Sequence, residues 1–341
     1  MHPELFELPF VDLTVKSYGL MMVVGFLAAV TIIRYLSRDI TPDPQMITNA
    51  ALYSLVGGVV GARIFYVVHY FDHFRDRPLA VFAIWHGGLE LLGGVILAVS
   101  IIFAYLLYHK LPIRKYLDIL AIGLMLALVF GRVGCFLNGC CWGQPTDLPW
   151  GVHFPYNSFA YRSQVNPDPQ RNRPEPYLDL PSDYVASVDP DGTIYPKPYE
   201  ELTERQKTEV TKGRYRCLAV HPTQLYTSLS ALGLTGVLYA FWRRSQRAEK
   251  TGRMNKWFVK PGQTFALMFI VYGSMRFLME LIRDDNPFGF NGLTVSQNIG
   301  LAMIVLGMLQ MGLFAMMKPE PIRRRGETRC GQKPQSAVKK K

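Results

Sequence analysis

Three arginines lie within stretches of the chain that are otherwise apolar. They are Arg63, Arg132 and Arg276. A charged side chain at membrane depth costs about 2.5–3.5 kcal/mol or more unless it pairs with another group or lines a polar cavity. A guanidinium presents a planar fork of N–H donors that matches a phosphodiester or a carboxylate. The three residues therefore predict either ion pairs that lock helices together or a buried site for an anion such as phosphate.

Acidic partners for these arginines stand in the same apolar stretches. They are Glu90, Asp118 and Glu280. One segment carries four polar residues at spacings of four, four and three: Tyr272, Arg276, Glu280 and Arg283. Because residues three or four apart share one face of a helix, these side chains form a polar stripe. The stripe is expected to face the interior of a helix bundle, where an anion site is favoured over simple ion pairing.

Seven apolar stretches are each long enough to cross a membrane as a helix. The chain has 341 residues, of which 49% are hydrophobic, and a bilayer core of about 30 Å needs roughly 20 helical residues. The stretches cover residues 17–36, 47–70, 87–108, 116–137, 222–242, 262–282 and 293–317. Close glycines in the second and third predict tight helix packing: Gly57, Gly58, Gly61, Gly93 and Gly94. The predicted fold is an all-α polytopic membrane protein with seven transmembrane helices.

The basic residues predict the orientation of these helices. Most lysines and arginines follow the first, third, fifth and seventh spans, and basic loops face the cytoplasm. The N-terminus should therefore lie outside and the C-terminus in the cytoplasm. Contact of the basic loops with anionic lipid accounts for the net charge of +11. Nucleic acid is therefore not expected as a partner.

The chain is predicted to have four regions. Residues 1–143 hold the first four helices, and residues 144–220 form an exported, loop-rich insertion between helices 4 and 5. Residues 221–317 hold the last three helices, and residues 318–341 form a basic cytoplasmic tail. Turn signals rich in Pro, Asp and Gly within the insertion predict short strands, together with one helix near 199–211.

The stretch after the fourth apolar segment resembles a family signature. It reads Gly131-Arg-Val-Gly-Cys-Phe-Leu-Asn-Gly-Cys-Cys-Trp-Gly143 and is similar to that of the prolipoprotein diacylglyceryl transferases. Further motifs follow in the family's order: Ser17-Tyr-Gly-Leu-Met21, Gly61-Ala-Arg-Ile64, Trp85-His-Gly-Gly-Leu89, His221-Pro-Thr-Gln-Leu-Tyr226, Arg276-Phe-Leu-Met-Glu280 and Ser296-Gln297. Members of that family transfer the diacylglyceryl group of phosphatidylglycerol to the lipobox cysteine thiol of a prolipoprotein, releasing glycerol phosphate.

The resemblance implies a role for each matching residue. Arg132 and Arg276 would clamp the phosphate, and Tyr18 and Asn138 would help to bind the head group. Glu280 would orient an arginine. Weaker matches add Arg63 and Gln224, and the turn beneath the site would be shaped by Gly131, Gly134, Gly139 and Gly143. The reaction centre would lie near the outer face, open to membrane lipid, and would need no metal and no cofactor.

The chain departs from the family where a general base is expected. The family often has a histidine before its second Gly-Gly pair, and here that position is Leu92. The base must then be His221, Glu90, His86, water or no group at all. His221 is preferred, because it lies on the predicted outer side, although a histidine before a proline is also typical of a turn.

Cysteines replace two polar residues of the signature, its first Asn (Cys135) and its Glu (Cys140). With Cys141 and Cys217 they should lie at the outer face, where oxidation is permitted. A disulfide from Cys140 or Cys141 to Cys217 is favoured over isolated buried thiols. A zinc or haem site is disfavoured, because adjacent cysteines have poor geometry for joint ligation. A covalent enzyme intermediate is unattractive, because its thioether would be a poor leaving group.

Two other functions stay open. One is a related phospholipid-dependent transferase with a different acceptor, suggested by Leu92, by Thr227 in place of the family's usual glutamate, and by the cysteines. The other is a non-catalytic protein that binds or transports phospholipid with the same arginines. A transferase with a different acceptor would consume phosphatidylglycerol without modifying a lipobox peptide. A binding or transport protein would bind the lipid without releasing glycerol phosphate.

Overall fold

The computed structural model describes residues 4–8, 13–41, 43–75, 78–82, 88–251 and 259–317. His86, one of the candidate bases, and the predicted tail at 318–341 lie outside the described residues. The chain divides into two compact units. The first holds residues 1–32 and 117–317, and the second holds residues 33–116.

The described part of the chain is mostly helical. Its α-helices are α1 (Ser17–Ser37), α2 (Gln45–His69), α3 (Phe71–Phe74), α4 (Leu91–Tyr108), α5 (Ile113–Asn138), α6 (Phe159–Val165), α7 (Glu204–Thr211), α8 (Thr223–Lys250), α9 (Gln263–Glu280) and α10 (Val295–Met316). Five of them are long and apolar enough to cross a membrane: α1, α2, α5, α8 and α10. The prediction of a helical, multi-pass membrane protein is therefore confirmed.

The third and sixth predicted spans correspond to α4 and α9. Each helix has 18 residues, which gives a length of about 27 Å. Arg276 and Glu280 lie in α9 and lower its hydropathy, as expected for a helix with a polar stripe. Every predicted apolar segment thus contains a helix, with ends that differ from the prediction by a few residues, except that α8 continues to Lys250.

Short antiparallel strands form three pairs among the described residues. They are β1 (Glu4–Leu8) with β2 (Leu13–Lys16), β3 (Val152–His153) with β6 (Ala219–Val220), and β4 (Val185–Val188) with β5 (Ile194–Pro196). The last two pairs lie in the 144–220 insertion, where short strands are predicted, and α7 confirms the helix expected near 199–211. The β1–β2 pair is an addition that the apolar pattern of the sequence does not predict.

The 144–220 insertion has a hydrophobic core of its own. This core consists of Phe154, Ala160, Tyr161, Val165, Leu178, Leu180, Tyr184, Leu202, Val210, Cys217 and Val220. Arg171 joins the insertion to the loop after α9, since its Nη2 donates to the carbonyl of Arg283 at 2.6 Å. Its Nε lies 3.5 Å from a carboxylate oxygen of Asp284. The insertion therefore supports the loop that carries Arg283.

Asp118 caps a helix and pairs with no arginine of the described residues. Its Oδ2 accepts from the backbone N–H of Gly262 at 2.8 Å, and its Oδ1 accepts from that of Phe265 at 3.0 Å. The buried carboxylate thereby satisfies donors at the start of α9 that have no partner within the helix. The alternative interpretation, in which Asp118 pairs with a buried arginine, is not seen among the described residues, since its two oxygens accept from these N–H groups.

Within the second unit, glycines set the packing of α2 against α4. A Cβ at Gly61 would lie 2.5 Å from the carbonyl oxygen of Gly93, and one at Gly94 would lie 2.9 Å from that of Gly58. No larger residue fits at such separations without moving a backbone. The tight packing predicted from the small residues of these two helices is confirmed.

Candidate functional site

Three chain segments of the first unit are joined at the end of α5. The backbone N–H of Gly143 donates to the carbonyl of His221 at 3.0 Å, and that of His221 donates to Gln144 at 3.0 Å. The N–H of Gln144 in turn donates to Ile282 at 2.8 Å. A Cβ at Gly143 would lie only 2.7 Å from the Cβ of His221. The signature loop, the start of α8 and the end of α9 are thereby held together.

The side chains at the start of α8 fix the same loop. Thr223 Oγ1 donates to the carbonyl of Cys141 at 2.6 Å, and Gln224 Nε2 donates to that of Cys140 at 2.7 Å. Gln224 is fully buried, and its Oε1 has no hydrogen-bond partner among the described residues. An acceptor buried without a donor is costly in a protein interior. Gln224 therefore offers an acceptor that a bound hydroxyl or a water molecule would satisfy.

Arg132, in α5, is half-buried and forms no hydrogen bond or ion pair with any described residue. Arg276, in α9, is close enough to Arg132 and Arg283 for their charges to repel it. Arg283 is bound by Asp285 through two hydrogen bonds, at 2.8 and 2.7 Å. Among these three cations, Arg132 is thus the one that has no carboxylate partner in the described part of the chain.

Arg276 is only partly satisfied by its neighbours. Its Nη2 donates to Ser296 Oγ, and its Nη1 lies 3.3 Å from Oε2 of Glu280. The alignment at Nη1 does not make a hydrogen bond, so this buried nitrogen has no hydrogen-bond acceptor among the described residues. A guanidinium nitrogen in that state is well suited to an additional anionic acceptor.

Glu280 lies between two of the arginines. It is 2% exposed, and its Oε2 lies 3.3 Å from Arg276 Nη1 and 3.9 Å from Arg283 Nε. Its other oxygen accepts a hydrogen bond from Asn286 Nδ2. The predicted pairing of Glu280 with an arginine is therefore present in the structure as a charge contact with Arg276, while Arg283 is held by Asp285.

Glycines of α5 bring α1 close to this site. A Cβ at Gly134 would lie 3.2 Å from Cδ2 of Tyr18, and one at Gly131 would lie 3.6 Å from Met22 Sδ. Tyr18 is 41% exposed and is close enough to Arg132 for the two groups to interact electrostatically. Asn138, the last residue of α5, is half-buried, and Gly139 follows it with a positive φ of 77°. Tyr18 of α1 thus packs against the C-terminal end of α5, where Asn138 lies. These are the two residues predicted to bind the head group.

His221 contacts a hydroxyl group, and the structure shows no carboxylate partner for it among the described residues. Its Nδ1 lies 3.3 Å from the Tyr226 hydroxyl, which accepts a hydrogen bond from Trp150 Nε1 at 2.7 Å. The backbone of His221 is part of the three-segment junction at Gly143. The histidine is therefore held at this junction, with its ring in contact with Tyr226. Its role as a base stays a prediction.

Arg63 is placed differently from the other predicted site residues. It lies in the second unit, and its guanidinium donates to three backbone carbonyls: Val81 at 2.7 Å, Gly88 at 2.9 Å and Ala80 at 2.7 Å. Glu90 is not its ion-pair partner among the described residues, and instead lies 3.4 Å from His69. These contacts favour a structural role for Arg63 in the loop between α2 and α4.

The cysteines do not form the predicted disulfide. Cys135, Cys140, Cys141 and Cys217 are all free thiols. Cys217 belongs to the hydrophobic core of the insertion, where burial raises the pKa of its thiol to about 11. Pairing of Cys217 with Cys140 or Cys141 is therefore wrong, because the insertion encloses Cys217 in its own core.

Two residues of the site, Asp285 and Asn286, are absent from the sequence-based prediction. Arg283 with Asp285, and Asn286 with Ser296, complete the polar network around Glu280. Burial raises the pKa of the nearby Asp284 carboxyl, while Arg173 and Arg171 act in the opposite direction. Arg283 had a visible signal in the sequence, since it is the last residue of the predicted polar stripe. Asp285 and Asn286 had none, because their positions depend on the loop conformation.

These features define a multi-pass helical membrane protein with a buried, incompletely neutralised arginine cluster at one end of its helices. The family model described as prolipoprotein diacylglyceryl transferase matches residues 3–313. The chain belongs to this family, and the resemblance inferred from its motifs is confirmed.

Three relatives show the extent of the similarity. A Clostridium tetani protein is 28% identical over 318 residues, covering 93% of this chain and 100% of its own length. A Xanthomonas oryzae pv. oryzae protein is 28% identical, covering 90% and 89%, and a Burkholderia cenocepacia protein is 29% identical, covering 88% and 90%. Each is named phosphatidylglycerol–prolipoprotein diacylglyceryl transferase. The similarity extends over nearly the whole chain, including both units.

Proposed function

We propose that this protein transfers the diacylglyceryl group of phosphatidylglycerol to the lipobox cysteine thiol of prolipoproteins and releases glycerol phosphate. The main support comes from two nearby arginines. Arg132 is half-buried and has no hydrogen bond or ion pair among the described residues, and the buried Nη1 of Arg276 has no hydrogen-bond acceptor among them. Family membership and the names of the relatives support the same substrates.

The reaction sets clear demands on the site. The acceptor thiol loses a proton, its sulfur forms a bond to the lipid glycerol carbon, and the C–O bond to phosphate breaks. The electron pair of that bond leaves with the phosphate oxygen, so negative charge grows there in the transition state. Donors fixed in advance around that charge lower the barrier. Arg132 and Arg276 are the residues we assign to hold the phosphate and to stabilise it as it leaves.

The surrounding residues supply orientation and space. Glu280 directs Arg276, and Tyr18 and Asn138 bind the head group. Gln224 accepts a hydrogen bond through its buried Oε1. The turn beneath the phosphate is formed by Gly131, Gly134, Gly139 and Gly143. Arg63 is the weakest member of this set, because three carbonyls already use its donors.

His221 is the base that we assign to the acceptor thiol. Leu92, at the family's usual histidine position, is an exposed residue of α4 and has no group that takes a proton. His221 lies at the junction that holds the signature loop, with Nδ1 near the Tyr226 hydroxyl. A neutral imidazole there would accept the thiol proton, directly or through water.

The proposal includes the position of the protein in the cell. Seven helices cross the bacterial inner membrane, with the N-terminus outside and the C-terminus in the cytoplasm. The regions 1–143 and 221–317 then form the membrane part, and 144–220 is exported at the face that carries the site. The basic loops support this orientation, and they contact anionic lipid rather than nucleic acid.

A single assay tests the proposed reaction. The full chain in detergent would be given phosphatidylglycerol labelled in its acyl chains and a peptide with a lipobox cysteine. Transfer of label to the peptide, with release of glycerol phosphate, is expected, and a peptide with serine at the cysteine position is the matched control. Consumption of lipid without peptide modification would favour a different acceptor. Lipid binding without glycerol phosphate would favour a binding or transport protein.

A further inference from the structure

Three thiols that the proposed reaction does not use lie together at the end of α5. The Sγ atoms of Cys135, Cys140 and Cys141 are all within 4.8 Å of one another. Cys135 is buried, and the other two are half-buried. Cys217, the other free thiol of the described residues, is not part of this group.

The loop conformation explains how adjacent cysteines reach a common point. Side chains of neighbouring residues in an extended chain point in opposite directions. Here Gly139 and Cys141 have positive φ angles of 77° and 64°, so the chain reverses immediately after α5. Gln224 and Thr223 hold the carbonyls of Cys140 and Cys141. Adjacent cysteines were expected to have poor geometry for joint ligation of a metal. The left-handed conformation of the loop instead brings the side chains of Cys140 and Cys141 to the same side.

We propose that Cys135, Cys140 and Cys141 form a binding site for one thiophilic d10 cation, Zn²⁺ or Cu⁺, held by three thiolates. A metal–sulfur bond of about 2.3 Å places three equivalent sulfur atoms about 4 Å apart. The observed separations allow that arrangement with little movement. Within the described residues the cluster contains no carboxylate or imidazole, and a donor set of sulfur alone selects Zn²⁺ or Cu⁺ over Mg²⁺ or Ca²⁺.

The charges around the cluster fit an anionic complex. The complex of three thiolates with one metal ion has a net charge of −1 with Zn²⁺ and −2 with Cu⁺. Arg283 and Arg132 are close enough to act on Cys141 electrostatically. They would repel a bare cation but attract the metal–thiolate complex. Binding releases the three thiol protons to water and transfers no electrons, so no oxidant or reductant is required. This metal site does not depend on the proposed diacylglyceryl transfer.

The test uses the full chain, purified in detergent under anaerobic conditions with its thiols reduced. The protein would be equilibrated separately with Zn²⁺ and with Cu⁺, dialysed and analysed for metal content. One ion per chain is expected with one or both metals. In the same samples the bound ion should protect Cys135, Cys140 and Cys141 from alkylation, read by mass spectrometry of peptides, without changing the alkylation of Cys217.

Matched variants locate the site. Cys135→Ser and Cys141→Ser should each weaken binding by more than about 100-fold, the upper end of the loss seen for groups outside the ligand shell. Cys217→Ser, the control, should keep one ion per chain. Thermal unfolding of each variant identifies one that has not folded, and the protection measured on the wild-type chain needs no variant.

Three results would overturn the proposal. They are no stoichiometric metal retention by the reduced wild-type chain, retention unchanged in both ligand variants, and a disulfide between two of these cysteines in protein isolated directly from the membrane. The last result would show that oxidation, not metal, occupies the cluster.

Discussion

Arg63 and Arg132 are both arginines within apolar helices, and their surroundings differ. Arg63 lies in α2, is 8% exposed, and donates from Nε, Nη1 and Nη2 to three carbonyls. Its guanidinium also lies 5.5 Å from the ring of Tyr66 and 5.3 Å from that of Phe74. Arg132 lies in α5 and has neither a hydrogen bond nor an ion pair among the described residues.

The difference shows that burial alone does not identify a functional arginine. A buried guanidinium is stable when acceptors surround it, and Arg63 has neutral carbonyl acceptors that hold a loop against its helix. Arg132 has none among the described residues, and the nearby Arg276 is also a cation. A bound anion such as the phosphate of a lipid would balance that excess charge. The number of unsatisfied donors, rather than the depth of the residue, separates a structural arginine from one in a binding site.

The largest expected effect is loss of transfer in Arg132→Ala. Removal of one fixed donor from a developing charge lowers turnover by about 10²–10³-fold, and we expect at least that loss in the labelled-lipid assay. Stability should change little or rise, because the replaced group has no partner to lose among the residues that the structure describes. Arg132→Lys, which keeps the charge but not the fork, should recover part of the activity.

Full activity of Arg132→Ala would contradict the proposed role of Arg132 in binding the phosphate. It would also contradict the functional difference between Arg132 and Arg63. A variant that is inactive only because it fails to fold would be identified by thermal unfolding in the same detergent.

The second effect is on stability, in Arg63→Ala. The substitution leaves the carbonyls of Ala80, Val81 and Gly88 without their donor, and we expect the free energy of unfolding to fall by about 2–4 kcal/mol. Thermal melts of Arg63→Ala and Arg132→Ala, measured side by side, check the difference. Transfer per folded molecule should fall less for Arg63→Ala than for Arg132→Ala. If instead Arg63→Ala keeps its melting temperature and loses transfer, Arg63 belongs to the lipid site.

Much of the fold and part of the site could be predicted from the sequence. Apolar length alone located helices in all seven segments, and the spacing of Arg276 and Glu280 placed their side chains in contact. These are local properties, since helical periodicity carries them. The order of motifs along the chain gave the family.

The partners of the charged residues could not be predicted in this way. Asp118 accepts hydrogen bonds from the N–H groups of Gly262 and Phe265, more than 140 positions away in sequence. No periodicity or motif in the sequence predicts that contact. The carbonyls around Arg63 belong to a loop without periodicity. The cysteine cluster depends on the positive φ of Cys141, a conformation that non-glycine residues adopt uncommonly. Long-range pairing and unusual backbone angles are the information that the sequence pattern lacks.

A smaller effect should appear in lipid-dependent stability. A ligand at about 100 times its Kd stabilises the folded state by about 2.7 kcal/mol, so phosphatidylglycerol in mixed micelles should raise the melting temperature of the wild-type chain. Arg132→Ala should lose most of that rise, whereas Arg63→Lys should keep it. Diacylglycerol, which lacks the phosphate, is the control lipid. An equal rise with diacylglycerol would show that acyl chains, and not the arginine, account for the binding.

The smallest effect is expected for Glu280→Gln, which tests whether an arginine must be directed as well as present. Glutamine keeps the shape and the contact with Asn286 but removes the charge 3.3 Å from Arg276 Nη1 and 3.9 Å from Arg283 Nε. Arg276 then loses the carboxylate beside its Nη1, while Arg283 is still held by Asp285. A misplacement of about 1 Å can cost about 100-fold in rate, and we expect a smaller displacement here. Because the phosphate is still bound by Arg132, kcat should fall about tenfold while KM for phosphatidylglycerol changes less. Glu280→Asp, which keeps the charge on a shorter side chain, should retain more turnover than Glu280→Gln. If the two variants are equally impaired and equally unstable, Glu280 serves only the packing of α9, and Arg276 is positioned by Ser296 instead.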